Sequence, residues 1–126
     1  MSHISVLQTQ MTEKEFLLQA LKDLGYTLEE GELTITGFGD TARDVEIKVK
    51  LPLSKDIGFR RTDKGYQVVA DWWGVRGLTQ KKFIAPVQQR YAYHAACAQL
   101  TSQGFDLVSE ENAANGSIHL VLRRTA

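Results

Sequence analysis

The sequence predicts an α+β fold, an antiparallel sheet of six or seven strands with two helices on one face, in the order β-α-β-β-β-β-α-β-β. Apolar residues recur at helical spacing in only two stretches, around Phe16–Leu24 and Phe83–Ala98. Elsewhere the period is two, as where Val45, Ile47 and Val49 alternate with Glu46, Lys48 and Lys50. Short turns such as Thr62-Asp63-Lys64-Gly65 and Asn115-Gly116 join successive strand segments, which antiparallel pairing allows and parallel pairing does not.

The elements follow in order. Ile4, Val6 and Gln8 alternate with Ser5, Leu7 and Thr9 in a short opening strand. Thr12 and Glu15 have the spacing of a capping box, and Met11 and Phe16 that of a hydrophobic staple. Phe16, Leu17, Ala20, Leu21 and Leu24 then form one stripe, and Gly25 is a left-handed terminator, so a helix is expected over residues 13–24. Leu33 and Ile35 mark one strand, and Val45–Lys50 a second with one solvated face. Ile57 and Phe59 open a third, which returns through the Asp63-Lys64-Gly65 turn into Tyr66–Trp73. Gly74 and Gly77 bracket a loop. Thr79 caps a second helix that runs to about Gln103, with Gly104 as terminator and Pro86 either kinking or restarting it. Phe105, Leu107 and Val108 begin a strand that turns at Asn115-Gly116 into Ile118, Leu120 and Leu122.

With 126 residues and 43% of them hydrophobic, the chain reads as one domain, 1–126, large enough for a core without disulfide or metal staples. Fifteen basic residues balance fifteen acidic ones, which removes the electrostatic case for a general nucleic-acid binder. The single Cys97 excludes an internal disulfide and suits a reducing compartment. The start Met1-Ser2-His3-Ile4 has no leader pattern, and no apolar stretch reaches membrane-spanning length. A cytoplasmic location is expected, stromal if the chain is plastid-encoded, with no membrane partner.

The densest chemistry lies in Gln89-Arg90-Tyr91-Ala92-Tyr93-His94. On a helical wheel Phe83, Val87, Tyr91, His94 and Ala98 share a stripe, so His94 is expected to point at the sheet as a satisfied core imidazole. Arg90 lies on the stripe's edge, where it closes over a carboxylate such as Asp71 or binds an anion. Arg90, Tyr91, His94 and Asp71 therefore make a candidate ligand site, with an internal salt bridge as the plainer reading. Trp72, Trp73 and Tyr93 are candidates for a protein-binding patch, because adjacent strand residues face opposite ways and only one tryptophan can enter the core.

Other patterns are incomplete. His94 and Cys97, with His119 or His3, fall short of a zinc ligand set, and the same pair as a thiol nucleophile lacks an orienting third group. Gly37-Phe38-Gly39-Asp40 lacks the lysine and following helix of a phosphate loop. Arg60-Arg61, Lys81-Lys82 and Arg123-Arg124 are basic pairs that solvated strand and helix ends explain. No cofactor, metal or complete catalytic set is indicated. A closed polar cluster with an exposed aromatic edge would favour a protein-binding role; a pocket lined by Arg90, Tyr91, His94 and Asp71 would favour a ligand.

Several segments together carry a resemblance. Lys22-Asp23-Leu24-Gly25, Asp56-Ile57-Gly58-Phe59, Val69-Ala70-Asp71, the Gln89–His94 block, Gln103-Gly104-Phe105 and Gly116–Arg124 occur in the order found in the domain of unknown function 1257 family. The chain resembles that family over nearly its whole length, most specifically in Arg-Tyr-Ala-Tyr-His and the last strand. The family brings no catalytic residues with it. The resemblance implies an accessory or adaptor protein working through a partner protein or a second copy, in photosystem biogenesis or regulation, or beside an AAA-type ATPase. Arg124-Thr125-Ala126 stands where photosynthetic members close on tryptophan, and Trp72-Trp73-Gly74 replaces a longer polar-aromatic segment.

Overall fold

The computed structural model describes residues 4–37, 42–112, 114 and 116–124. His3, the Phe38-Gly39-Asp40 part of the glycine-rich loop, Asn115 of the last turn and Thr125-Ala126 lie outside them. The elements are β1 (Ser5–Gln8), α1 (Lys14–Asp23), β2 (Thr27–Thr36), β3 (Ala42–Lys50), β4 (Ile57–Thr62), β5 (Gly65–Ala70), α2 (Gln80–Ser102), β6 (Phe105–Asn112) and β7 (Ile118–Arg124). The order is the expected one and every strand pair is antiparallel.

The strands form two sheets rather than one. Five pair in the order β1-β5-β4-β3-β2, and β6 pairs only with β7. The length of α2 explains the division. At 23 residues it spans about 34 Å, while only Phe83, Ile84 and Val87 in its first turns are buried. The β6–β7 hairpin starts where α2 ends and packs against its later half instead of joining the main sheet. Pro86, which cannot donate a helical hydrogen bond, sits inside a continuous helix and does not restart it.

The main core lies between the helices and one face of the five-stranded sheet. Leu17 and Leu21 of α1 and Phe83 and Val87 of α2 meet Ile47, Val49, Ile57, Phe59, Tyr66 and Val68. Phe83 is its aromatic centre, with ring centroids of Tyr26 at 5.5 Å and of Phe59 and Trp72 each at 6.0 Å. Burying a side chain of this size contributes about 1.5–3 kcal/mol, so this contact fixes how α2 lies on the sheet. Gly25, at φ +83°, ends α1 as the sequence indicates.

The opposite sheet face also carries a small core, which periodicity alone does not reveal. The β2–β3 register shifts between Glu30 and Leu33, and β3 pairs with β4 only from Ile47 to Val49. The outer half of the β2–β3 hairpin therefore departs from the sheet plane and brings Ile35 and Val45 together with Val69, with Ile4 and Leu33 alongside. Val45 thus leaves the stripe of Ile47 and Val49 on which simple alternation puts it. Gly58 makes the approach feasible. A Cβ at this position would lie 2.6 Å from Cγ1 of both Ile35 and Val45.

Both neighbours at Gly58 are β-branched and stiff, so they cannot swing away. Gly58→Ala should lower stability by about 1–3 kcal/mol, read as an earlier urea midpoint. An unchanged midpoint would show that the hairpin does not rest on β4.

Candidate functional site

The Arg90–His94 block sits where α2 crosses α1, and its polar groups reach both ends of the shorter helix. At the start of α1 the expected capping box is absent: the N-cap is Glu13 and makes no side-chain cap. The Tyr91 hydroxyl instead accepts the Thr12 N–H at 3.1 Å and the Glu13 N–H at 2.9 Å. One phenol from a distant helix does the work assigned to Thr12 and Glu15. The Tyr91 ring also meets Phe16 edge-on at 5.9 Å.

At the other end, Asp23 is the last residue of α1, where the helix dipole disfavours a negative charge. Three donors offset that. Arg90 Nε and Nη2 lie 3.0 and 2.8 Å from Asp23 Oδ2, and His94 Nε2 lies 2.5 Å from the same oxygen. An ionised carboxylate cannot donate, so Nε2 carries the proton. His94 is partly exposed and holds the end of α1, instead of pointing at the sheet as a buried core residue.

Arg90 spends its remaining nitrogen on Glu110 of β6, at 3.1 Å from Nη1 to Oε1. Its guanidinium stacks over the Tyr93 ring at 4.2 Å, and Tyr93 meets His94 edge-on at 5.0 Å. Tyr93 donates to Glu110, and this hydrogen bond, helped by burial, pushes the Tyr93 phenol well above its usual range. The Tyr93 and Arg90 hydrogen bonds hold Glu110 below its ordinary value, against the effect of burial. Burial would raise Asp23, but the His94 and Arg90 hydrogen bonds outweigh it and hold the carboxyl below its usual value.

Asp71 does not join this cluster. It is fully buried just after β5, where Oδ1 accepts the Trp73 N–H at 3.2 Å, while Oδ2 has no partner among the described residues. The carboxylates on Arg90 are Asp23 and Glu110. Asp23 carries a sequence signal that could have been used, an acid as the last residue of a helix, where the dipole disfavours it. Glu110 carries none.

The tryptophans belong elsewhere again. β5 ends at Ala70, and Asp71 starts a turn closed by Gly74 N–H to Asp71 O at 2.9 Å, so Trp72 and Trp73 are turn residues and not strand residues. Trp72 packs on Phe83, while Trp73 is 80% exposed. Tyr93 lies ten residues beyond Phe83, about 15 Å further along the helix, and does not share a patch with them. A second exposed side chain stands near Trp73, which the sequence reading missed. The 51–56 loop is bound to the Trp73 turn by Lys55 N–H to Gly74 O at 2.9 Å and by Arg76 N–H to Ser54 Oγ at 2.9 Å. It carries Leu53, 91% exposed and at φ +53°.

A cleft of about 520 Å³ lies beside the bent hairpin, lined by Glu32, Asp44, Glu46, Arg60 and Arg61 among others. None of Arg90, Tyr91, His94 and Asp71 lines it. Among the described residues no group of three His, Cys, Asp or Glu side chains could hold a metal ion. Chemically, the Arg90 cluster sets one guanidinium between two carboxylates, and an incoming anion would have to displace a carboxylate to bind.

Tyr91→Phe keeps the ring on Phe16 and removes only the acceptor, so it should cost about 1 kcal/mol by urea unfolding. Equal stability would mean that the Thr12 and Glu13 amides do not depend on the phenol. The pH dependence has a definite sign. Asp23 and Glu110 are both depressed on folding, so their contribution is complete above the unfolded values, near 3.8 and 4.5, and is lost as pH falls through the lower folded values. Asp23→Asn should flatten part of the loss of melting temperature between about pH 4.5 and pH 2, whereas an unaltered acid limb would remove Asp23 from the account.

A family model for "Protein of unknown function (DUF1257)" matches residues 20–121. The chain is also 31% identical over 126 residues to the "Uncharacterized protein ycf35" of Cyanophora paradoxa, covering 98% of each chain. It is 32% identical over 130 residues to the protein of that name from Guillardia theta and 30% over 127 residues to that from Pyropia yezoensis, again covering 98% of each. No solved structure matches the chain. The matched span runs from within α1 to within β7 and takes in the Arg90–His94 clamp with both of its carboxylates, and the chain belongs to the DUF1257 family.

Proposed function

We propose that this protein is a non-enzymatic accessory or adaptor protein that works by binding another protein. One observation carries the reading: no described residue after Val87 is buried. The later half of α2 and the β6–β7 hairpin leave Leu100, Leu120 and Leu122 only half covered. Leu107, Val108 and Val121 are 42%, 56% and 53% exposed. Val108 stands in the bulge between the Leu107–Leu122 and Ser109–Val121 pairs, beside Val121. A two-stranded ribbon is marginal alone, and exposed apolar side chains such as Val108 and Val121 on it are ones that a partner would cover.

The alternative, a ligand or anion site around Arg90, Tyr91, His94 and Asp71, has its Arg90 guanidinium engaged by Asp23 and Glu110 and its Asp71 elsewhere. The settings that the family resemblance implies, photosystem biogenesis or the neighbourhood of an AAA-type ATPase, are the settings proposed for the contact. A cytoplasmic or stromal location is proposed with it, supported by a single unpaired cysteine.

The test is affinity purification of the tagged chain from its native host beside the Val108→Lys, Val121→Lys double variant. Both positions are exposed, so the melting temperature should move little while a stoichiometric partner is lost. A protein that co-purifies equally with both forms, or none with either, would contradict the reading.

A further inference from the structure

The Leu53–Trp73 tip is built in a way that stability alone does not explain. Leu53 is a branched residue in the left-handed region, a conformation that costs energy for any residue but glycine. That cost holds an aliphatic side chain out into water at 91% exposure. Trp73, in the turn tied to the Leu53 loop, is 80% exposed, although its neighbour Trp72 is packed on Phe83. The two loops are tied together through Gly74, whose carbonyl accepts from Lys55 N at 2.9 Å and from Ser54 Oγ at 3.2 Å. A Cβ on Gly74 would lie 2.3 Å from Lys55 Cδ, so the loops are in close contact. The two apolar side chains therefore project from a fixed support.

The charge around them is one-sided. Residues 48–56 and 71–82 hold six cations, Lys48, Lys50, Lys55, Arg76, Lys81 and Lys82, against two acids, Asp56 and Asp71. Asp56 is already bound by Lys50 at 2.8 Å and Lys48 at 3.8 Å, Lys50 also lies 3.8 Å from Glu29 of β2, and Asp71 is buried. Arg76, Lys81 and Lys82 are exposed, and no acidic residue follows Asp71 until Asp106. In a chain of zero net charge, the segments that carry Leu53 and Trp73, the two most exposed large apolar side chains among the described residues, thus hold an excess of cations.

We propose that this tip docks the protein on an anionic membrane surface, with Trp73 and Leu53 inserted at the headgroup level and Arg76, Lys81 and Lys82 against the lipid charges. Two side chains carried on short loops offer little area, which suits a deformable lipid interface better than a rigid protein face needing a large complementary area. Indole rings favour that interface, and adjacent cations add electrostatic attraction to it. No helix among the described residues is long and apolar enough to cross a membrane, and surface docking requires none. The residues involved are separate from the β6–β7 surface, so the docking does not rest on the proposed protein contact.

The test is co-sedimentation of the full chain with vesicles of phosphatidylcholine containing about a third phosphatidylglycerol, beside vesicles of phosphatidylcholine alone, with tryptophan emission recorded. The chain should sediment with the anionic vesicles only, its emission should move to shorter wavelength, and salt at 1 M, where screening acts within about 3 Å, should release it. Trp73→Ser and Leu53→Gly should each weaken binding about tenfold. Leu53→Gly suits the positive φ and should not lower the melting temperature, so its loss of binding cannot come from misfolding. Absence of sedimentation with anionic vesicles, or binding unchanged in both variants, would overturn the proposal. So would Trp73-dependent binding to poly-L-glutamate with none to vesicles, which would assign the tip to an acidic protein.

Discussion

The arrangement of this protein depends on how a ten-residue helix is held at both ends by a neighbour. An isolated helix of that length is marginal in water, and α1 has no side-chain cap at its start and sets the unfavourable Asp23 beside Lys22 at its end. Tyr91 supplies the missing acceptor at one end, and Arg90 and His94 hydrogen-bond Asp23 at the other. Arg90 then reaches β6 through Glu110. One guanidinium thus ties α1, α2 and the second sheet together. Between these polar ends, Leu17 and Leu21 seal the sheet. The apolar contacts supply most of the stabilisation, and the polar ones set the angle at which the helices cross.

Much of this architecture was legible in the chain. The stripe Phe16–Leu24, the alternation Val45–Lys50 and the terminator Gly25 reflect local periods and local backbone conformation, and each gave its element correctly. What failed depended on residues far apart in sequence. Thr12 and Glu15 have the spacing of a capping box, but a phenol 79 positions beyond Thr12 occupies its amide. Alternation cannot show that the outer half of β2–β3 bends across Gly58, because the bend comes from a register shift. The sequence also marks seven strands without saying which edges they join.

The candidate site shows the same division. That Arg90 meets a carboxylate follows from chemistry, but which carboxylate follows from tertiary packing, and it is Asp23 and Glu110 in place of Asp71. One tryptophan inward and one outward is the observed outcome. Its cause is the Asp71 turn and not strand alternation. Leu53 carried no signal, since a leucine in a polar loop is unremarkable until its backbone conformation and exposure are known.

The polar residues of the Arg90–His94 block are therefore engaged inside the molecule, by Asp23, Glu110 and the amides that open α1. The most direct test of that engagement is a double-mutant cycle on Asp23→Ala and Arg90→Ala, measured by urea unfolding. If the clamp is structural, the two effects should be coupled by about 1–2 kcal/mol. Additivity within about 0.3 kcal/mol would show that Arg90 is free to serve something else, and would contradict the account.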